Sequence, residues 1–273
     1  RNLDSKTCER VVDEVRKKAL RDLTPLPENQ AIAKQEPEAI RAKYLPAKFA
    51  GIQYRMHARN VWEEEDWRIF RDTYRRLTEM VDEEIGQVLD ALKEAGLEEN
   101  TLVVFTSDHG DMDGAHKLQH KSLPYEESAR VPFIMRFKGR IQPGVVNNEH
   151  LISNGLDLLP TLCDYAGIQV PEGLSGSSIR SMAEGKPVTG WRSHLVVESK
   201  HCRMLRTDRF KYCVYDSGKN CEQLLDLAND PGEMTNLAGD ETYDEILDRH
   251  RQLLRDWVKR TGDTIGSEYP REG

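Results

Sequence analysis

No stretch of the 273 residues approaches the roughly 18 consecutive apolar residues that a membrane-crossing helix needs, so no helical span is expected. The five cysteines (Cys8, Cys163, Cys202, Cys213, Cys221) include no C-x-x-C pair and are too scattered for a disulfide scaffold or a zinc ribbon. Cys213 and Cys221 flank the turn-like "YDSGKN", where a bridge and two free thiols are equally open readings. Positive charge is in short supply, with 39 Lys+Arg against 47 Asp+Glu and a net charge of −8. That speaks against a nucleic-acid partner, which calls for a basic stripe. It leaves small anionic substrates open, because one local lysine or cation overrides a global charge. The opening "RNLDSKTCERV" has neither an initiator methionine nor a leader-like apolar run, and reads as a start part-way into a larger protein.

What is present has the texture of a globular α/β chain. Residues 3–20 carry helical spacing with many charges, and residues 24–60 form a proline-punctuated loop with short helical pieces. Over 66–94 the spacing predicts one amphipathic helix, with Tyr74, Leu77, Val81, Ile85, Val88 and Leu92 on its stripe and Gly96 as its stop. Strands follow at 102–106 and 131–137, then a helix at 155–166; this order predicts a mostly parallel sheet covered on both faces. Beyond Pro187, "HLVVES", "CRMLRTD" and "FKYCVYD" read as three short strands, followed by a helix over 243–261. The expected division is therefore an α/β part over 1–187 and a small α+β subdomain over 188–273.

The chemistry concentrates in "TLVVFTSDHGDMDGAHKLQHKSLPYEESAR", residues 101–130. Ligands of open α/β sheets bind beyond the carboxyl ends of the strands. Asp108 and His109 stand at such an end, before a glycine that permits a sharp turn. A carboxylate beside an imidazole is half of a shell for a divalent cation; an N-cap aspartate followed by a solvated histidine is the plainer alternative. Lys121 offers a compact ammonium suited to one oxygen of a tetrahedral anion, although most lysines are simply exposed. His116 and His120 lie four apart, but the surrounding glycines and mixed polarity favour a loop over a helical zinc pair.

This segment, together with "DLLPTLCDYAGI" and "LLDLANDPGEMTNLA", closely resembles the type I sulfatases of the alkaline phosphatase superfamily, in family order over about residues 66–260. The resemblance implies the C-terminal half of an alkaline-phosphatase-like sandwich with a small α+β appendage. It implies Asp108 and His109 as metal ligands, and Lys121 as the catalytic lysine contacting the sulfate. His116 and His120 fall in the substrate-side loop, with no firm role. The implied cofactor is one divalent metal ion, calcium by family habit; the softer imidazole at 109 leaves manganese or magnesium as alternatives. Sulfated sugars or small sulfate esters are the implied substrates, and export to the periplasm or outside the cell is the family habit.

Such enzymes attack sulfur with a formylglycine made from the Cys (or Ser) of a C-x-P-S-R-like motif, and none of the five cysteines lies in that context. Cys202, in "CRMLR", has the arginine but Met204 in place of proline. A first pair of metal aspartates is missing too, and His57 lies too close to the following helix to match the family's leaving-group histidine. The sequence is thus expected to carry half a site and to associate with itself or with the missing half. Two rival readings stand beside the sulfatase: a phosphonate or phosphodiester hydrolase of the same superfamily, and a non-catalytic binder of sulfated glycans.

Overall fold

The computed structural model describes residue 17 and residues 21–48, 53–264 and 266. The helix expected over 3–20, apart from residue 17, and Cys8 lie outside the described residues. A short helix α1 (Tyr54–Val61) leads into the long α2 (Glu64–Glu94), which starts from a capping box in which the Glu63 N–H donates to Asp66 Oδ2 at 3.0 Å. Strand β1 (Val103–Thr106) follows, then the site loop with a one-turn helix α3 (Glu126–Ala129), strand β2 (Phe133–Arg136), and helix α4 (Asn154–Ala166). After the short α5 (Arg180–Ala183) come β3 (Leu195–Glu198), β4 (Cys202–Arg206), β5 (Phe210–Tyr215) and β6 (Glu222–Asp226), then α6 (Asp244–Thr261).

Four strands, not three, make the C-terminal sheet, an antiparallel meander in the order β3-β4-β5-β6. Every residue of β5 is buried, because both faces of the sheet are covered. On one face Phe210, Tyr212 and Val214 pack with Leu205, Leu224, Leu247 and Leu254, the last two from α6. On the other, Met204, Cys213 and Tyr215 meet Ile40, Tyr44 and Leu45 from the early chain and Met112, Leu118, Leu123 and Tyr125 from the site loop. Early and late chain are also tied by backbone: Lys34 N–H donates to Met234 O at 3.0 Å beside a parallel bridge between Lys34 and Thr235. Cys213 and Cys221 are free thiols, and the neighbour that presses on buried Cys213 is Cys202.

The first sheet corrects the expectation of parallel strands. β1 and β2 pair antiparallel, Val103 opposite Arg136 and Thr106 opposite Phe133. A parallel pair needs a crossover, usually a helix of some length; this connection folds into the site loop and α3 and returns in the opposite direction. Nor are both faces covered by the described residues: the cross-strand pair Phe105 and Ile134 is 43% and 59% exposed. The first turns of α2 are seated by buried Trp67, against which Trp62 and Phe70 pack, and by an Arg71–Asp113 ion pair at 2.9 Å. Past them Leu77, Val81 and Val88 of its apolar stripe stay exposed. Helix α4 is inverted, burying Asp157 and Thr161 while Leu156, Leu159 and Leu162 face outward. Arg192 clasps the Asp157 carboxylate with contacts of 2.5 and 2.6 Å, which is what makes burying that charge tolerable.

Candidate metal and anion site

Where β1 ends, the backbone turns at Ser107. Asn154, the first residue of α4, donates to Ser107 O at 2.6 Å, and Ser107 Oγ donates to His109 O at 2.7 Å. Gly110 then passes so close to α3 that a Cβ there would stand 1.9 Å from Glu127 O, so any side chain would push the turn away. The Gly110 N–H donates to Ser128 O at 2.9 Å. On the far side the loop closes on itself, Met112 N–H to His120 O at 2.8 Å and His120 N–H to Asp111 Oδ1 at 3.2 Å. That closure sets Lys121 opposite His109. Asp113, His116, Lys117, His120 and Ser122 all hold positive φ, a cluster of left-handed non-glycine residues that the surrounding packing must hold in place.

Asp108, His109 and Lys121 are brought together. His109 Nδ1 faces Gly110 O at 2.8 Å, and since a carbonyl only accepts, the proton sits on Nδ1 and the lone pair on Nε2. Nε2 stands 3.2 Å from Asp108 Oδ2 and 2.5 Å from Lys121 Nζ. Two lone-pair donors therefore converge beside one ammonium, at an exposed rim where the Asp108 side chain is 80% accessible. Desolvation pushes the Asp108 carboxyl up, but the backbone N–H of His109, which donates to it, and the nearby Lys121 ammonium help to outweigh that and hold it below its ordinary value. Among the described residues no group of three or more His, Cys, Asp or Glu side chains is poised for a metal. The pair fits two positions of a cation's shell, as the separation of its donor atoms allows, and leaves the others to further ligands.

The two loop histidines part company. His120 stays at the surface beside Lys121, edge-on to Tyr54 with ring centroids 5.3 Å apart and 3.9 Å from Asp111 Oδ2. His116, expected on the substrate side, is instead wholly buried, stacked on Tyr125 at 4.0 Å. Burial, aided by Arg59 and Lys211, drives its pKa down to about 4, so it sits there neutral. His57 lies on α1, lining a hollow of about 280 Å³ with Gln53, Met56, Asn60 and Val61. Sequence reasoning missed Arg55, whose guanidinium lies over the rings of Tyr44 and Tyr54 at 4.1 and 5.5 Å, beside His120. It also missed Asn29, which donates to Glu127 Oε1 at 2.7 Å and Gly232 O at 3.1 Å; nothing in the proline-punctuated stretch marks it.

Comparison with known proteins gives the family context. A family model described as sulfatase matches residues 32–168, and one described as N-sulphoglucosamine sulphohydrolase, C-terminal, matches residues 114–260. The Delta 4,5-hexuronate-2-O-sulfatase of Bacteroides thetaiotaomicron is 38% identical over 215 residues, which cover 76% of this chain and 44% of that protein. Among solved structures, a 2-O GAG sulfatase superposes with a TM-score of 0.80 at 33% identity, over 92% of this chain and 55% of that one. The phosphonate monoester hydrolase of Agrobacterium radiobacter superposes with a TM-score of 0.64 at 29% identity, over 73% and 43%. The chain spans about half the length of the relatives it matches.

Proposed function

Because the chain belongs to the sulfatase family, we propose that the protein carrying it hydrolyses sulfuric esters, with Asp108, His109 and Lys121 as this chain's share of the site. The observation that carries the reading is the meeting of a carboxylate, an imidazole lone pair and an ammonium at the carboxyl end of β1. Family membership implies a divalent metal, for which Asp108 Oδ2 and His109 Nε2 are the two donors of this chain. When bound, the ion supplies Lewis-acid stabilisation of charge on the sulfuryl oxygens. Calcium is the ion proposed, with manganese and magnesium as the alternatives to titrate. The Lys121 ammonium binds one sulfuryl oxygen and stabilises the charge that grows there during transfer. His120 borders the substrate. The attacking group comes from polypeptide outside these residues, since no cysteine here lies in a formylglycine context.

A sulfated sugar is the proposed substrate class, supported by the names of the hexuronate-2-O-sulfatase and of the 2-O GAG sulfatase. Export to the periplasm or beyond the cell is proposed on family habit, and cell fractionation decides it. The uncovered apolar side chains of α2, β1, β2 and α4 support pairing with the rest of a sulfatase fold, or self-association.

The intact protein is to be assayed on an aryl sulfate and on a phosphodiester, with and without added calcium or manganese. The expected result is metal-dependent preference for the sulfate, lowered about 10²–10³-fold by Lys121→Met, as for loss of one donor to a developing oxyanion. Preference for the phosphodiester would carry the second reading, favoured by the likeness to the phosphonate hydrolase. Tight binding of sulfated glycan without turnover would carry the non-catalytic one.

A further inference from the structure

A buried cation lies between the C-terminal sheet and the site loop. Lys211, the second residue of β5, is 0% exposed, and on its face of the strand it stands in line with Cys213 and Tyr215, which pack against the loop. Its Nζ donates to Pro124 O at 2.8 Å and reaches Glu126 Oε1 at 2.8 Å and Glu233 Oε1 at 2.6 Å. Glu233 is itself 1% exposed, and its Oε2 accepts the Glu126 backbone N–H at 2.6 Å. Glu126 is thus held twice, by its carboxylate from Lys211 and by its backbone from Glu233. Charges taken this far from water persist only when paired, and losing one partner leaves the others uncompensated.

What makes this more than a core ion pair is its location. Glu126 opens α3, the one-turn helix whose Ser128 carbonyl receives the Gly110 N–H and whose Glu127 carbonyl is the close neighbour of Gly110. The turn bearing Asp108 and His109 therefore rests on α3. Pro124 lies three residues beyond Lys121, with Leu123 and Tyr125 on either side of it buried in the core. Both halves of the site, the lone-pair donors and the ammonium, lead back to the segment that Lys211 grips.

We propose that Lys211, with Glu233, is a positioning residue of the site: through Glu126 and Pro124 it fixes the seat on which the Asp108–Gly110 turn and Lys121 both stand. The inference rests on the reading of Asp108, His109 and Lys121 as the functional trio. It makes the C-terminal sheet a working part of the site.

The test compares Lys211→Met, Lys211→Arg and Glu233→Gln in the full-length protein by amide hydrogen exchange and by sulfate-ester turnover. In Lys211→Met, exchange at the amides of Gly110, Met112, His120 and Glu126 should rise about tenfold or more. Amides of the β4–β5 ladder should stay within twofold of the parent. Turnover should fall about 10–100-fold, the range for loss of a partner that orients ligands from outside their shell, mainly in kcat. Lys211→Arg, which keeps the charge, should recover part of both losses, and Glu233→Gln should loosen Glu126 most. Unchanged exchange over 108–128 with turnover within twofold would overturn the proposal. So would a rise spread evenly through β4, β5 and β6, which would mark a purely structural charge. A parent protein without sulfate-ester turnover would refute the hydrolase reading alone, since the exchange measurements still decide the positioning role.

Discussion

The two sheets among the described residues differ in how far each has satisfied its own needs. The four-stranded meander has a helix on one face and the site loop on the other, and its central strand is buried throughout. The β1–β2 pair has two four-residue strands and an apolar pair, Phe105 and Ile134, standing in the open. A two-stranded pair of this size is marginal by itself. The stripe of α2 and the leucines of α4 repeat the pattern. Apolar side chains arranged on one face yet left uncovered are what the pairing proposed above would bury. The site sits on the border between these regions: its turn hangs from the uncovered strand, and its loop is gripped by the covered sheet.

Four measurements on the isolated chain can break or sharpen that contrast. The largest effect is expected where the open region is nonetheless anchored: Arg192→Met leaves the wholly buried Asp157 carboxylate unpaired and should cost about 3–5 kcal/mol in urea unfolding. Next, Leu224→Ala, at 0% exposure in the meander core, should cost about 2–5 kcal/mol. A loss under about 0.5 kcal/mol, the scale of an ordinary surface change, would deny the meander its finished core.

The third effect depends on pH. His116 is held near 4 against an ordinary 6.5, so below 6.5 the unfolded chain takes up a proton that the folded chain refuses. Stability from this residue is whole above 6.5 and is lost as pH falls toward 4, by up to about 1.4 kcal/mol per pH unit. Glu233 works the other way over an overlapping window: burial, against Lys211, raises its carboxyl from 4.5 to about 7, so stability falls as pH climbs between those values. The difference between the parent and His116→Gln isolates the histidine, and parallel pH profiles would contradict its placement beneath the loop. The smallest effect belongs to the open face: Leu159→Ser and Val88→Ser should each change stability by no more than about 0.5 kcal/mol. Both should reduce self-association in sedimentation. In a protein where other polypeptide covers that face, Leu159→Ser should cost several times more.

Much of this contrast was legible in the sequence, and where it was not the reason is tertiary. Period 3.6 placed α2 within two residues of its observed start, because capping and stripe are local signals. The direction of β2 was not legible, since a short apolar run carries no mark of parallel or antiparallel pairing. Strand β6 was overlooked because it opens with Glu222 and Gln223, polar residues that only the neighbouring strand and Arg251 explain. The meeting of Asp108, His109 and Lys121 was expected from the strand end and the family likeness. The burial of His116 was not: the stretch around it mixes Asp113, Lys117 and Gln119 with apolar residues, and only Ala115 and Leu118 hint that this part of the loop dives inward. Lys211 gave a sign that went unread, a lysine in second place in "FKYCVY", where every neighbour belongs inside.

The rung between Lys34 and Thr235 joins segments from nearly opposite ends of the described chain. On a ribosome, the early segment with Ile40, Tyr44 and Leu45 emerges long before the sheet it must cover has been translated. The meander, built of sequential neighbours, can close as soon as it leaves the exit tunnel. The nascent protein therefore carries this apolar cluster without its sheet until β4 and β5 have emerged, and chaperone dependence should be greatest in that interval.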